Sequence, residues 1–194
     1  MKHQELLQTI KNRRNTKQFL DKEVDKSHIN MILESAVWAP NHRSTEPWRF
    51  VVISKSSPSK KNISNGLINL QEDSQKKLND DQKKLNDDQK KEIILGVERT
   101  PFYIFVFTEI SENPEISEEN YGAVCCAIQN MQLTATAIGL GVGWSTGKIS
   151  KIYNLNNILG VDPSLKIVGV LSIGYPSSIA KKTRKDYASL TKWL

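Results

Sequence analysis

The chain lacks most of what would staple or anchor it. Only two cysteines occur in 194 residues, adjacent at Cys125 and Cys126 inside a helical pattern. Neighbouring helical side chains point to different faces, so the pair excludes a disulfide framework, and a metal site would need more ligands. A buried pair of small apolar side chains is expected, in a reducing cytosolic compartment. No apolar run reaches the roughly 18–20 residues of a membrane-spanning helix. The most apolar stretch, Tyr121 to Trp144, is broken by Gln129, Asn130 and Gln132. The start, Met1-Lys2-His3-Gln4-Glu5, shows no apolar leader region, so a cytoplasmic protein without membrane attachment is expected.

What is present suits one folded domain spanning 1–194: 38% apolar and 25% charged residues, at a length able to bury a core unaided. The net charge of +6 is unevenly spread. Residues 73–92 hold six lysines and six acids and cancel, leaving excess at Lys11 to Lys17 and in Lys181-Lys182-Thr183-Arg184-Lys185. Two such clusters suit either a nucleic-acid backbone or one small phosphate. Aromatic platforms interleaved with the cations are missing, which favours the phosphate and argues against a nucleic-acid partner.

Apolar spacing predicts a first helix through Leu6, Leu7 and Ile10, ending near Arg13. A second, capped by Ser27, turns Ile29, Ile32, Leu33, Ala36 and Val37 inward and stops at Pro40. Phe50–Ile53 and Tyr103–Phe107 read as buried strands, Val142–Trp144 and Ile167–Ile173 as short ones, with a helix around Ile149 to Leu159 between the last two. Ser57-Pro58 opens another helix. Tyr121 to Ile138 is the longest apolar helix, ended by Gly139. The segment Gln75–Asp81 is copied at Gln82–Asp88, which predicts a lengthened, solvated surface helix with Leu78 and Leu85 on one stripe. Helices and strands mix without a βαβ rhythm, so the class is α+β.

Two segments carry the chemistry. Arg13-Arg14-Asn15-Thr16-Lys17-Gln18-Phe19 places three cations in five residues directly after a helix. Ala39-Pro40-Asn41-His42, continuing through Pro47-Trp48-Arg49-Phe50, is a long loop rich in polar and aromatic groups. Together they resemble the nitroreductase family, flavin oxidoreductases that hold FMN at a dimer interface. Histidine after the Ala-Pro-Asn step is similar to the compact bacterial members. Asn15 stands where the family usually has serine, and Glu46 where it has glutamine. An ionised Glu46 accepts hydrogen bonds but cannot donate them.

The resemblance implies an intertwined homodimer with a central mixed or antiparallel sheet flanked by helices. It implies FMN as cofactor and NAD(P)H as reductant, with a small electron-poor acceptor reduced in a ping-pong cycle. It places Arg13, Arg14 and Asn15 on the cofactor, and Lys17 where charge grows on reduction. Trp38 and His42 become ligand contacts, and Trp144, Ser145 and Thr146 border the ring or ribityl chain. Lys182 and Arg184 are similar to a phosphate clamp. No side chain does covalent chemistry in this scheme, and no metal is implied. From charge alone, Arg13 and Arg14 equally complement the C-terminal end of the first helix. Gly139-Leu140-Gly141-Val142-Gly143 follows a helix and enters a strand, so a dinucleotide-binding fingerprint is rejected. Alternatives are a specialised flavin enzyme of the same fold, such as a dehydrogenase or reductive dehalogenase, and a non-catalytic flavin- or nucleic-acid-binding protein.

Overall fold

The β-branched and aromatic runs of the sequence assemble into one antiparallel sheet. A computed structural model describes residues 3–76 and 84–194. Strands β1 (Trp48–Ser54), β2 (Phe102–Thr108), β3 (Gly141–Ser145) and β4 (Lys166–Gly174) lie in the order β1-β2-β4-β3. Every neighbouring pair is antiparallel. β2 is central, and Tyr103 through Thr108 are buried without interruption.

Alternation along β2 sends its side chains into two cores. Ile104 and Val106 face a cluster containing Ile29, Ile32 and Ala36 of helix α2 (Lys26–Ala36) and Val124, Ile128 and Met131 of α5 (Pro114–Ala137). Tyr103, Phe105 and Phe107 face the opposite cluster. That side holds Ile63 and Leu67 of α3 (Ser59–Lys76), Val97 of α4 (Asp87–Arg99) and Leu155 of α6 (Leu155–Leu159). Each fully buried large side chain contributes about 1.5–3 kcal/mol relative to exposure. The first helix, α1 (His3–Asn12), touches α5 but buries none of its own residues.

Several expectations need correction. Asp25, not Ser27, caps α2, its carboxylate accepting the Ser27 amide; Val37 lies beyond the helix and is exposed. β1 is an edge strand, so Val52 is exposed rather than buried. α5 starts at Pro114, where Asn113 caps it and proline needs no amide partner. The helix expected around Ile149 to Leu159 splits into a 3₁₀ turn (Lys148–Lys151) and α6, separated by left-handed Asn154. Cys125 is half-buried and Cys126 exposed, because only part of α5 faces the sheet. His28 is half-buried with Nδ1 sealed from solvent.

The heptad copy does not form one uninterrupted helix. Residues 84–86 are non-helical, and α4 begins afresh at Asp87 behind a reciprocal Asn86–Gln89 capping box. Leu85 is buried in that connection instead of riding an exposed stripe. Leu78 and the rest of 77–83 lie outside the described residues.

Candidate cofactor site

Residues 13–17 leave α1 and lie along the free edge of β3. The Thr16 amide donates to Val142 O at 3.0 Å, Asn15 pairs with Val142 in a parallel bridge, and the Trp144 amide donates to Asn15 Oδ1 at 2.7 Å. This contact explains the alternating glycines. A Cβ on Gly141 would stand 2.4 Å from Thr16 Oγ1, and one on Gly143 2.2 Å from the Thr16 carbonyl oxygen. Only bare backbone allows so close an approach. The next residues meet the segment after β4: the Leu20 amide donates to Tyr175 O at 2.8 Å, and the Ser177 amide to Gln18 O at 3.1 Å. The two chain ends thereby run side by side.

Arg14 ties them further. Its Nε donates to Ala180 O at 2.9 Å and its Nη1 to Arg13 O at 2.8 Å, so its fork serves backbone carbonyls. Next to it opens a cleft of about 420 Å³ lined by Ile10, Lys11, Arg13, Arg14, Gln129, Lys182 and Arg184. Five of these side chains are cationic, and among the described residues no carboxylate joins them. Arg13 is half-buried, and its guanidinium is held below the ordinary arginine range by burial first, then by the charges of Arg184 and Arg14. Crowding like charges at the rim of a low-dielectric wall is unfavourable unless an anion joins them.

The second motif forms a loop against α5. Ala39, Pro47 and Trp48 are buried beneath it. Arg43, Ser44 and Glu46 have φ of 59°, 52° and 44°, left-handed values that cost non-glycine residues of order 1–3 kcal/mol each. Contacts hold the shape: the Glu46 amide donates to Asn41 Oδ1 at 3.0 Å, and Thr45 Oγ1 donates to Asn120 Oδ1 at 2.8 Å. His42 Nδ1 lies 2.7 Å from Glu119 Oε1, and Arg43 Nε lies 3.4 Å from Glu119 Oε2.

Arg13, Arg14, Lys182 and Arg184 thus meet at one cleft, although the sequence separates them by about 170 positions. Asn15 and Trp144 meet at β3 instead, with the Trp144 amide engaged by Asn15. Trp144 Nε1 is buried against Gly169 with no hydrogen-bond partner among the described residues. Ser145 Oγ accepts the Gly147 amide at 3.2 Å, while Thr146 and Lys17 are exposed. Trp38, 81% exposed, and His42 do not line the cation cleft of their own chain. Lys11, Gln129 and Glu119 were missed from sequence. Lys11 sat in the basic cluster and Gln129 interrupted an apolar helix, each a usable signal; Glu119 looked like any surface acid. Among the described residues, no helix is long and apolar enough to cross a membrane.

Comparisons with known proteins identify the family and the fold. The model of the nitroreductase family matches residues 10–175. YfhC of Bacillus subtilis, named as a candidate NAD(P)H nitroreductase, is 32% identical over 174 residues, covering 90% of this chain and 86% of its own. A nitroreductase-like family protein from Bacillus cereus superposes with a TM-score of 0.81 at 26% identity, over 97% of this chain and 95% of that one. A candidate nitroreductase from Desulfovibrio desulfuricans, solved in complex with FMN, gives a TM-score of 0.73 at 25% identity, over 96% and 94%. With a family model spanning most of its length, both core faces and the docked 13–17 segment, the chain belongs to the nitroreductase family of oxidoreductases.

Proposed function

We propose that this chain is an FMN-dependent oxidoreductase that draws its reducing equivalents from NAD(P)H. The carrying observation is the cleft lined, among the described residues, by five cations and no carboxylate. A flavin mononucleotide phosphate, with roughly −1.5 to −2 charges at neutral pH by analogy with other phosphate monoesters, matches that need. The FMN complex of the Desulfovibrio relative supports the choice. FMN bound there would supply the hydride-transfer chemistry that links NAD(P)H to an electron-poor acceptor. Arg13, Lys182 and Arg184 would hold the phosphate, arginine through its planar fork. Arg14 anchors the tail that carries the last two, through Ala180 O. Asn15, Trp144, Ser145 and Thr146 would border the ring or ribityl chain, and Lys17 would stabilise negative charge gained on reduction.

A homodimer completes this reading. Leu6, Leu7 and Ile10 of α1 are all exposed, as are Trp38 and, in the tail, Ile179, Leu190 and Trp193. So much apolar surface favours a second copy as cover. Trp38 and His42 would then serve the partner's site, consistent with their absence from the cleft of their own chain. The fold acts as one domain, with nitroaromatics, quinones or conjugated enones as acceptors and one site serving reductant and acceptor in turn.

The test is direct. Purified protein is expected to be yellow, to release FMN on denaturation, and to give parallel double-reciprocal plots for NADPH or NADH against a quinone. A colourless protein that ignores added FMN and binds DNA with steep salt dependence would contradict the proposal.

A further inference from the structure

We propose that Glu119 is the positioning residue of the 41–46 loop, fixing the His42 imidazole with its proton on Nδ1 and turning Nε2 outward as the ring's free atom. The inference about a ligand rests on the FMN reading above; the tautomer itself does not.

The geometry carries the assignment. Glu119 and Asn120 are successive residues of α5, and between them they engage three residues of the loop. Glu119 takes His42 Nδ1 at 2.7 Å on one oxygen and Arg43 Nε at 3.4 Å on the other. Asn120, itself buried, accepts from Thr45 Oγ1 at 2.8 Å and donates through Nδ2 to Glu109 O at 3.4 Å. An ionised carboxylate has only acceptors, so the short contact requires the proton on Nδ1. The hydrogen bond from His42, ahead of the charges of His42 and Arg43, also holds Glu119 below its ordinary range and keeps it ionised at neutral pH.

The ring therefore enters any encounter with one orientation and one free nitrogen. At a pH where imidazole is neutral, Nε2 accepts a hydrogen bond. Its partner must be a donor, such as a ribityl hydroxyl or the imide N–H of a flavin. Without Glu119 the ring gains a second tautomer and additional rotamers, and the left-handed backbone at Arg43, Ser44 and Glu46 loses a clamp.

Long-range ¹H–¹⁵N spectra of the imidazole at pH 8 test the tautomer directly. Wild-type protein is expected to show His42 with the proton on Nδ1, and Glu119→Ala a mixture of tautomers. A wild-type ring protonated on Nε2 alone overturns the proposal whether or not FMN binds. For the ligand, Glu119→Ala is expected to weaken FMN about tenfold, and Glu119→Gln, which keeps an oxygen for Nδ1–H, to recover most of that loss. In a His42→Ala background the Glu119→Ala effect should shrink to within twofold. An equal loss in both backgrounds would mark Glu119 as merely structural and overturn the proposal. Should FMN bind wild type and leave Arg13→Ala, yet hold Glu119→Ala undiminished, the positioning role fails while the cofactor reading stands. If wild type binds no FMN, the cofactor reading and the ligand half of this inference fall together.

Discussion

Arg13 is where electrostatics and packing most clearly disagree, since burial and two neighbouring guanidiniums all disfavour its charge. A bound phosphate would relieve that conflict. A charge-assisted hydrogen bond contributes about 1.5–3 kcal/mol, so Arg13→Ala is expected to weaken FMN by roughly 10–100-fold in a fluorescence titration, with little change in melting temperature. Arg184→Ala should act in the same direction. Glu119 makes a separate prediction in acid. Its folded value lies below the ordinary 4.5, first because of the His42 hydrogen bond. The stabilisation is therefore fully present above the unfolded value and is lost as pH falls through the depressed one. Urea denaturation between pH 3 and 6 should show a shallower acid limb in Glu119→Gln; identical limbs would contradict the assignment.

Among the elements, β3 depends on glycine where the 13–17 segment crosses it. In Gly143→Ala the new methyl would meet the Thr16 carbonyl. Overpacking of this kind typically costs about 1–3 kcal/mol, and backbone cannot swing aside as a flexible side chain would. Lower thermal stability and weaker FMN binding are expected together, because the same segment carries Arg13. Lys60 makes the opposite kind of contact. Only 4% exposed, it donates from α3 to the carbonyls of Glu98 and Thr100 where α4 ends. Burial, then Lys55, pushes its ammonium down to about 8, against a smaller pull from Glu98. The unfolded chain holds that proton more tightly, so stability should rise as pH climbs from about 8 towards 10.5. Lys60→Met should flatten that rise and, by leaving two carbonyls unmet, cost about 1–3 kcal/mol at pH 7.

These elements also show what was legible in the sequence. β2 and the core half of α5 were readable because uniform burial leaves an unbroken apolar pattern. Gly139 was readable as a stop because its φ of 80° suits glycine. The split before α6 was not, since Asn154 makes its left-handed turn without glycine or proline to mark it. The heptad copy suggested one helix because repeat spacing carries no record of the Asn86–Gln89 cap that restarts α4. At the site, arginines could be grouped by charge and motif. Lys11 and Gln129 carried signals, a charge in the basic cluster and a break in an apolar helix, that only the fold joins into one cleft, and Glu119 acquires its role only from the geometry of the loop.

At the scale of the whole molecule, the two basic chain ends share one cleft because residues 18–20 pair with 175–177. The +6 charge is thus partly gathered at one point rather than laid out as a stripe. The exposed apolar side chains of α1 and the tail belong to the same scale, and light scattering after size-exclusion chromatography is expected to give twice the chain mass. The most direct measurement is an FMN titration of cofactor-stripped protein, followed by flavin absorbance and repeated with Arg13→Ala. Tight binding by the wild type at one FMN per chain, weakened at least tenfold in the variant, is the predicted result. Equal affinity in both proteins, or no binding by the wild type, would contradict the claim that the five-cation cleft is a flavin phosphate site.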